Sequence, residues 1–90
     1  MNCLLRNRLA VGLVRVGPDR WRLACPACGD YEFEGPFAEH IKVAKANARV
    51  EVLQHLPRLA RASQRAQRRG QRLTLHVRPA VEIVARLQSV

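Results

Sequence analysis

The spacing of apolar residues predicts three short strands in the first 35 residues. Residues 9–16 are rich in leucine and valine, and the turn signal Gly17-Pro18-Asp19 follows them. Residues 21–23 and 31–34 then alternate large apolar side chains with arginine or glutamate. This period of two is typical of strands that bury one face.

Helical spacing begins after the break at Gly35-Pro36. Apolar residues recur three or four positions apart, at Phe37, Ile41, Ala44 and Ala48. A proline inside a helix costs about 3 kcal/mol, so Pro57 predicts a kink or a new helix start. From there to position 69 the pattern is strongly amphipathic, and Gly70 is expected to cap that helix.

The last 20 residues predict one more strand and one more helix. Leu73, Leu75 and Val77 alternate with polar residues. Pro79 then opens an expected helix with an inner face of Ala80, Ile83, Val84 and Leu87. Together these elements predict one α+β domain over residues 1–90. A small β-hairpin sheet occupies residues 1–35, and two or three helices with a short strand occupy residues 36–90.

Charge is concentrated in one part of the chain. The net charge is +9, and residues 57–78 contain seven arginines and no acid. Six of them would fall within an arc of about 100° on a continuous helix. They are Arg58, Arg61, Arg65, Arg68, Arg69 and Arg72. A solvated helix face usually interleaves acids that form i,i+4 pairs, so this arginine stripe predicts a negatively charged partner.

The cysteines predict a metal site. Cys25 and Cys28 stand two residues apart in Cys-Pro-Ala-Cys-Gly, the spacing of a zinc knuckle. Cys3 lies upstream, and a cysteine at position 6 would complete the spacing of a four-cysteine zinc site. Arg6 stands there instead, and arginine does not ligate zinc. We therefore expect zinc on Cys3, Cys25 and Cys28, with His40 as the fourth ligand.

Two other interpretations of the cysteines remain open. The hairpin can be one that has lost its metal and keeps its shape through core packing. A Cys-x-x-Cys pair can also exchange disulfides, but that chemistry favours a helix N-terminus in a βαβ context, whereas strand patterns flank this motif.

The knuckle and the elements after it resemble a zinc-ribbon-like pattern of small bacterial and phage proteins. The resemblance spans residues 21–88 and is most specific at Cys-Pro-Ala-Cys-Gly-x-Tyr. It rests on Cys25, Cys28, Gly29, Tyr31, Phe33, Gly70, Leu73 and Thr74. It implies a zinc-ribbon-type fold with a degenerate first knuckle, and such modules bind nucleic acids or proteins or serve a structural role.

The sequence favours a small cytoplasmic binding module over an enzyme. It shows no nucleophilic triad, no phosphate-binding glycine loop and no paired carboxylates in a plausible pocket. It also has no apolar span for a membrane and no pattern of a signal peptide. We expect the stripe to bind nucleic acid, mostly through phosphates. The alternative is an accessory or inhibitor protein of phage or mobile-element type that docks on an acidic protein surface.

Overall fold

A computed structural model describes residues 2–6, 8–78 and 82–89. Their secondary structure consists of five strands and three helices, in an α+β arrangement. In chain order the elements are β1 (Gly12–Gly17), β2 (Arg20–Cys25), β3 (Gly29–Glu34), α1 (Gly35–Ala46), α2 (Val50–Leu53), α3 (Leu56–Arg68), β4 (Gln71–Arg78) and β5 (Glu82–Ser89).

The strands form one mixed sheet in the order β1-β2-β3-β4-β5. Neighbours pair antiparallel except β3 and β4, which are parallel and pair Tyr31 with Leu73 and Phe33 with Leu75. A parallel pair needs a long crossover connection, and here α1, α2 and α3 provide it. The crossover therefore brings the second half of the chain against the strands of the first half.

The helices cover one face of the sheet. Tyr31 and Leu75 on the central strands are fully buried, together with Phe37 and Ile41 of α1. Leu59 and Ala60 of α3 complete the helix side of this core. Since side chains alternate across a strand, residues 32, 34, 74 and 76 lie on the other face, which no helix covers.

Local sequence explains the helix ends. α1 and α3 both carry proline in the first turn, Pro36 and Pro57, where the missing N–H leaves no hydrogen bond unmade. The prediction of a new helix start at Pro57 is confirmed.

Gly70 follows α3 at φ +68°, a left-handed conformation that glycine adopts without strain, as expected of a C-terminal cap. α1 is shorter than predicted, because it ends at Ala46 and Ala48 has φ +51°.

The predicted last helix is wrong. Residues 82–89 form β5, which pairs with β4 along eight positions from Arg78↔Glu82 to Gln71↔Ser89. Ile83 and Leu87 are four residues apart, a spacing that fits a helix face and a strand face equally well. The strand forms because β4 has an open edge with which these residues can pair. Pro79 and Ala80, which were expected to begin that helix, lie outside the described residues.

None of the helices in the described part of the chain has the length and apolar character needed to cross a membrane.

The core predicts a steep cost for losing the ring of Phe37. The side chain is fully buried between α1 and the sheet, so Phe37→Ala should lower the free energy of unfolding by about 3–5 kcal/mol. Val43→Ala is the control in the same helix. Val43 is 43% exposed, and its replacement should change stability by no more than about 1 kcal/mol. Equal costs in urea titrations would contradict the proposed core.

Candidate metal centre and the helix attached to it

Three cysteines that are distant in sequence meet at one end of the sheet. Cys25 is the last residue of β2, and Cys28 precedes the first residue of β3. Cys3 joins them because the N-terminal segment folds back: Asn2 bridges to Leu9, and the Cys3 amide donates to Arg8 O at 2.7 Å. All three side chains are buried, and their Sγ atoms lie within 4.8 Å of one another.

The sulfur spacing fits a metal with thiolate ligands. Cys3 Sγ and Cys28 Sγ are 3.8 Å apart, too far for the bond of a disulfide, and all three cysteines are free. Two thiolates on a tetrahedral zinc at about 2.3 Å from the metal lie about 3.8 Å from each other. This pair of sulfurs is therefore spaced as two ligands of one zinc ion would be.

Hydrogen bonds orient Cys3. The Tyr31 hydroxyl lies 3.2 Å from Cys3 Sγ and accepts a hydrogen bond from the Leu4 amide at 3.0 Å. Burial opposes ionisation of Cys3, but hydrogen bonds from Tyr31 and from the Leu5 and Arg6 amides outweigh it and lower the pKa of the thiol. Backbone amides that donate to the first sulfur of a turn favour the thiolate, which is the form that binds a metal.

The neighbouring sulfurs resist joint ionisation. Burial, together with the charges and hydrogen bonds of Cys3 and Cys25, raises the pKa of Cys28 to about 12. Burial, together with Cys3, also raises the pKa of Tyr31. The three thiols could therefore ionise together only with a cation among them.

The structure does not bring His40 to the cysteines. His40 lines a separate cavity of about 490 Å³ together with His55 and Arg58. His76 does not join the cysteines either, and its Nδ1 lies 2.5 Å from Glu34 Oε1. The group that could hold a metal in the described residues consists of three cysteines and does not include His40, the expected fourth ligand. The sequence places His40 in the helix that follows β3, but it does not show whether His40 and the cysteines come together in the fold.

Helix α3 is fastened to the cysteine turn by three side chains. Ser63 Oγ donates to Cys28 O at 2.7 Å, and Gln64 Nε2 donates to Ala27 O at 2.5 Å. Gln67 Oε1 accepts from the Asp30 amide at 2.7 Å. These polar residues occupy positions i, i+1 and i+4 on a helix otherwise made of arginine and aliphatic residues, a signal that the sequence analysis did not use.

Gly29 allows this close approach. It has φ +80°, and a Cβ at this position would lie 2.6 Å from Gln67 Oε1. A larger residue would thus be strained in its backbone and would collide with the side chain that holds α3. The tight turn of the knuckle and the position of α3 consequently depend on the same residue.

The arginine stripe is retained in part. Arg58, Arg61, Arg65 and Arg68 of α3 are exposed, as is the capping residue Arg69. None of these five forms an ion pair with any of the residues that the structure describes. Their helix turns its other side, Leu59, Ala60 and Ala66, into the core. The result is an exposed cationic surface on a helix that the core and the knuckle hold in place.

Arg72 does not belong to the stripe. It lies in β4, and its Nη1 is 3.1 Å from Glu32 Oε2. The helical-wheel prediction extended the helix past Gly70, where the chain in fact reverses into a strand. Glu32, which the alternation pattern placed on a solvent side, is only 5% exposed because arginines surround it.

Comparisons with protein-family models, with curated proteins and with solved structures found no significant match to this chain.

The contact between α3 and the knuckle predicts the effect of removing one hydroxyl. Ser63 is fully buried, and Ser63→Ala would leave the Cys28 carbonyl without its donor. Loss of a buried partner costs about 1–3 kcal/mol, and thermal or urea unfolding should show this loss. Ser89→Ala, at the exposed end of β5, is the matched control and should be neutral. Parent-like stability of Ser63→Ala would show that this hydrogen bond does not hold α3.

Proposed function

We propose that this protein is a small zinc-dependent module that binds nucleic acid through the arginines of α3. The observation that carries the proposal is the set of five exposed arginines without acidic partners in the described chain, on a helix fastened to the cysteine turn. Unneutralised like charges three and four residues apart repel one another. A polyanion bound to α3 would neutralise these charges, and the relief of their repulsion would contribute to the free energy of binding.

Phosphate contacts explain the choice of arginine. A guanidinium can donate two parallel hydrogen bonds to one phosphate, which suits a backbone-directed contact. The stripe has no aromatic side chain on which a base could stack. Binding should therefore depend strongly on salt and weakly on sequence.

The role proposed for zinc is structural. Cys3, Cys25 and Cys28 would hold the ion, which supplies the positive charge that lets three buried thiols ionise together. The fourth position would be taken by water or another small ligand. In holding the turn, the metal fixes the carbonyls of Ala27 and Cys28 that Gln64 and Ser63 bind. Zinc would in this way stabilise the position of the arginine helix without contacting the nucleic acid.

A protein partner is the second candidate. Leu9, Val11 and Val14 are 72%, 75% and 59% exposed on the N-terminal segment and β1. An apolar surface of this kind favours contact with another protein. In this alternative the arginines would face an acidic or nucleic-acid-mimicking surface of an accessory protein's target.

Metal content tests the zinc site. We expect about one zinc per chain in protein purified without chelator, measured by elemental analysis. Cys25→Ser should release most of the metal and lower the melting temperature, because it removes a ligand and exposes the others to protonation. The control His40→Ala should keep its zinc. Less than a tenth of an equivalent in the parent would show that the cysteines do not form a zinc site.

The salt dependence of DNA binding tests the stripe. Each phosphate contact contributes about 0.9 to the slope of log K against log salt on duplex DNA. Replacing Arg61, Arg65 and Arg68 with alanine should flatten the slope by roughly two to three units and weaken binding similarly across sequences. The fold should persist, because these side chains are exposed.

A charge-matched control separates the stripe from net charge. Replacement of Lys42, Lys45 and Arg78 with alanine removes three exposed positive charges elsewhere, and should change the slope much less. Parent-like binding by the stripe variant would reduce the stripe to a solvated face. If the parent binds neither duplex DNA nor single-stranded RNA at low salt, the protein-partner alternative replaces this proposal.

A further inference from the structure

The helix-free face of the sheet carries its own arginine cluster. Strand pairing places Arg22, Glu32, Thr74 and Arg86 side by side across β2, β3, β4 and β5. All lie on the opposite face from Tyr31 and the core, because side chains alternate along a strand. This surface is thus separate from the arginines of α3, which lie on the other side of the sheet.

One buried carboxylate organises this cluster. Glu32 is 5% exposed, and three guanidiniums approach it: Arg72 at 3.1 Å, Arg22 at 3.5 Å and Arg20 at 3.9 Å. A single carboxylate neutralises one of three positive charges. The arginines are therefore fixed in position by Glu32 while two charges remain available.

The remaining charge is directed outwards. The side chains of Arg20 and Arg22 are 41% and 39% exposed, and Arg86 in the neighbouring strand is exposed as well. Alternation places three more acids on this face, Asp30, Glu34 and Glu82. Glu34 is bound by His76 at 2.5 Å. Among the described residues, no acid other than Glu32 forms an ion pair with Arg20, Arg22 or Arg72.

Hydrogen-bond donors also exceed acceptors on this face. Arg22 Nε, Arg72 Nε and Thr74 Oγ1 are buried and have no hydrogen-bond partner among the described residues. Thr74 is fully buried, although it lies on the side without helices. Unmet donors beside unneutralised guanidiniums are complementary to an anion rich in acceptor oxygens, such as phosphate.

We propose that this sheet face is a second phosphate-binding surface and that the protein bridges two nucleic-acid duplexes. One duplex would lie against α3 and the other against Arg20, Arg22 and Arg72. The nature of the ligand rests on the proposed function, whereas the existence of a second surface rests on the cluster itself. The sheet separates the two surfaces, so a straight duplex in contact with one does not reach the other.

A bridging assay tests this inference. One duplex is immobilised on beads, the protein is added at low salt, and capture of a second, fluorescently labelled duplex is measured. The sheet-face variant is Arg20→Gln with Arg22→Gln, two partly exposed positions whose change leaves Glu32 paired with Arg72. The control is Lys42→Gln with Lys45→Gln, which removes the same charge from the exposed side of α1.

The parent and the control should both capture the second duplex. The sheet-face variant should still bind the first duplex within about threefold of the parent, but its capture of the second should fall at least tenfold. The stripe variant of α3 should also lose capture. Bridging by the sheet-face variant at the parent's level would overturn the inference, since a dimer joined elsewhere would behave in that way.

The failures of the two proposals are distinguishable. A parent that binds one duplex but captures no second refutes the bridging surface and leaves the role of α3 intact. A parent that binds no duplex refutes both. Binding of polyglutamate in place of duplex, lost in the sheet-face variant, would assign the surface to an acidic protein and overturn the nucleic-acid assignment.

Discussion

The attachment of α3 to the cysteine turn is the contact on which the proposed function depends. Three polar side chains of α3 bind the backbone of residues 27–30, next to the three buried sulfurs. β3, α1 and α2 separate the turn from α3 in the chain, so no local preference of the chain would bring them together. The hydrogen bonds and the shared core supply the free energy for that approach.

On the proposed function, this arrangement separates stability from recognition. The cysteines and Ser63 are buried, and Gln64 and Gln67 contact the cysteine turn, while the arginines of the same helix face solvent. The cationic residues are therefore free of structural ion pairs, and their replacement should affect binding more than folding. On the other side of the sheet the opposite holds, because Glu32 uses part of the charge of its three arginines for structure.

Sequence patterns predicted the elements whose evidence is local. The cysteine spacing anticipated the cluster of Cys3, Cys25 and Cys28, and Pro57 with Gly70 marked the two ends of α3. The patterns failed where contacts between distant parts of the chain determine the local structure. Residues 82–89 form a strand because β4 offers an open edge, and Arg72 joins β4 because the chain reverses at Gly70. His40 was assigned to the metal because it lies in the helix that follows the third strand, whereas its distance from the cysteines depends on how α1 packs.

Amide hydrogen exchange followed by mass spectrometry is the most direct test of the link between the metal centre and α3. Exchange would be compared between zinc-loaded protein and protein treated with chelator. Metal removal should speed exchange in the cysteine turn and in the second half of α3, around Ser63 to Gln67, more than in α1. Equal protection of α3 with and without metal would show that the metal centre does not hold the arginine helix.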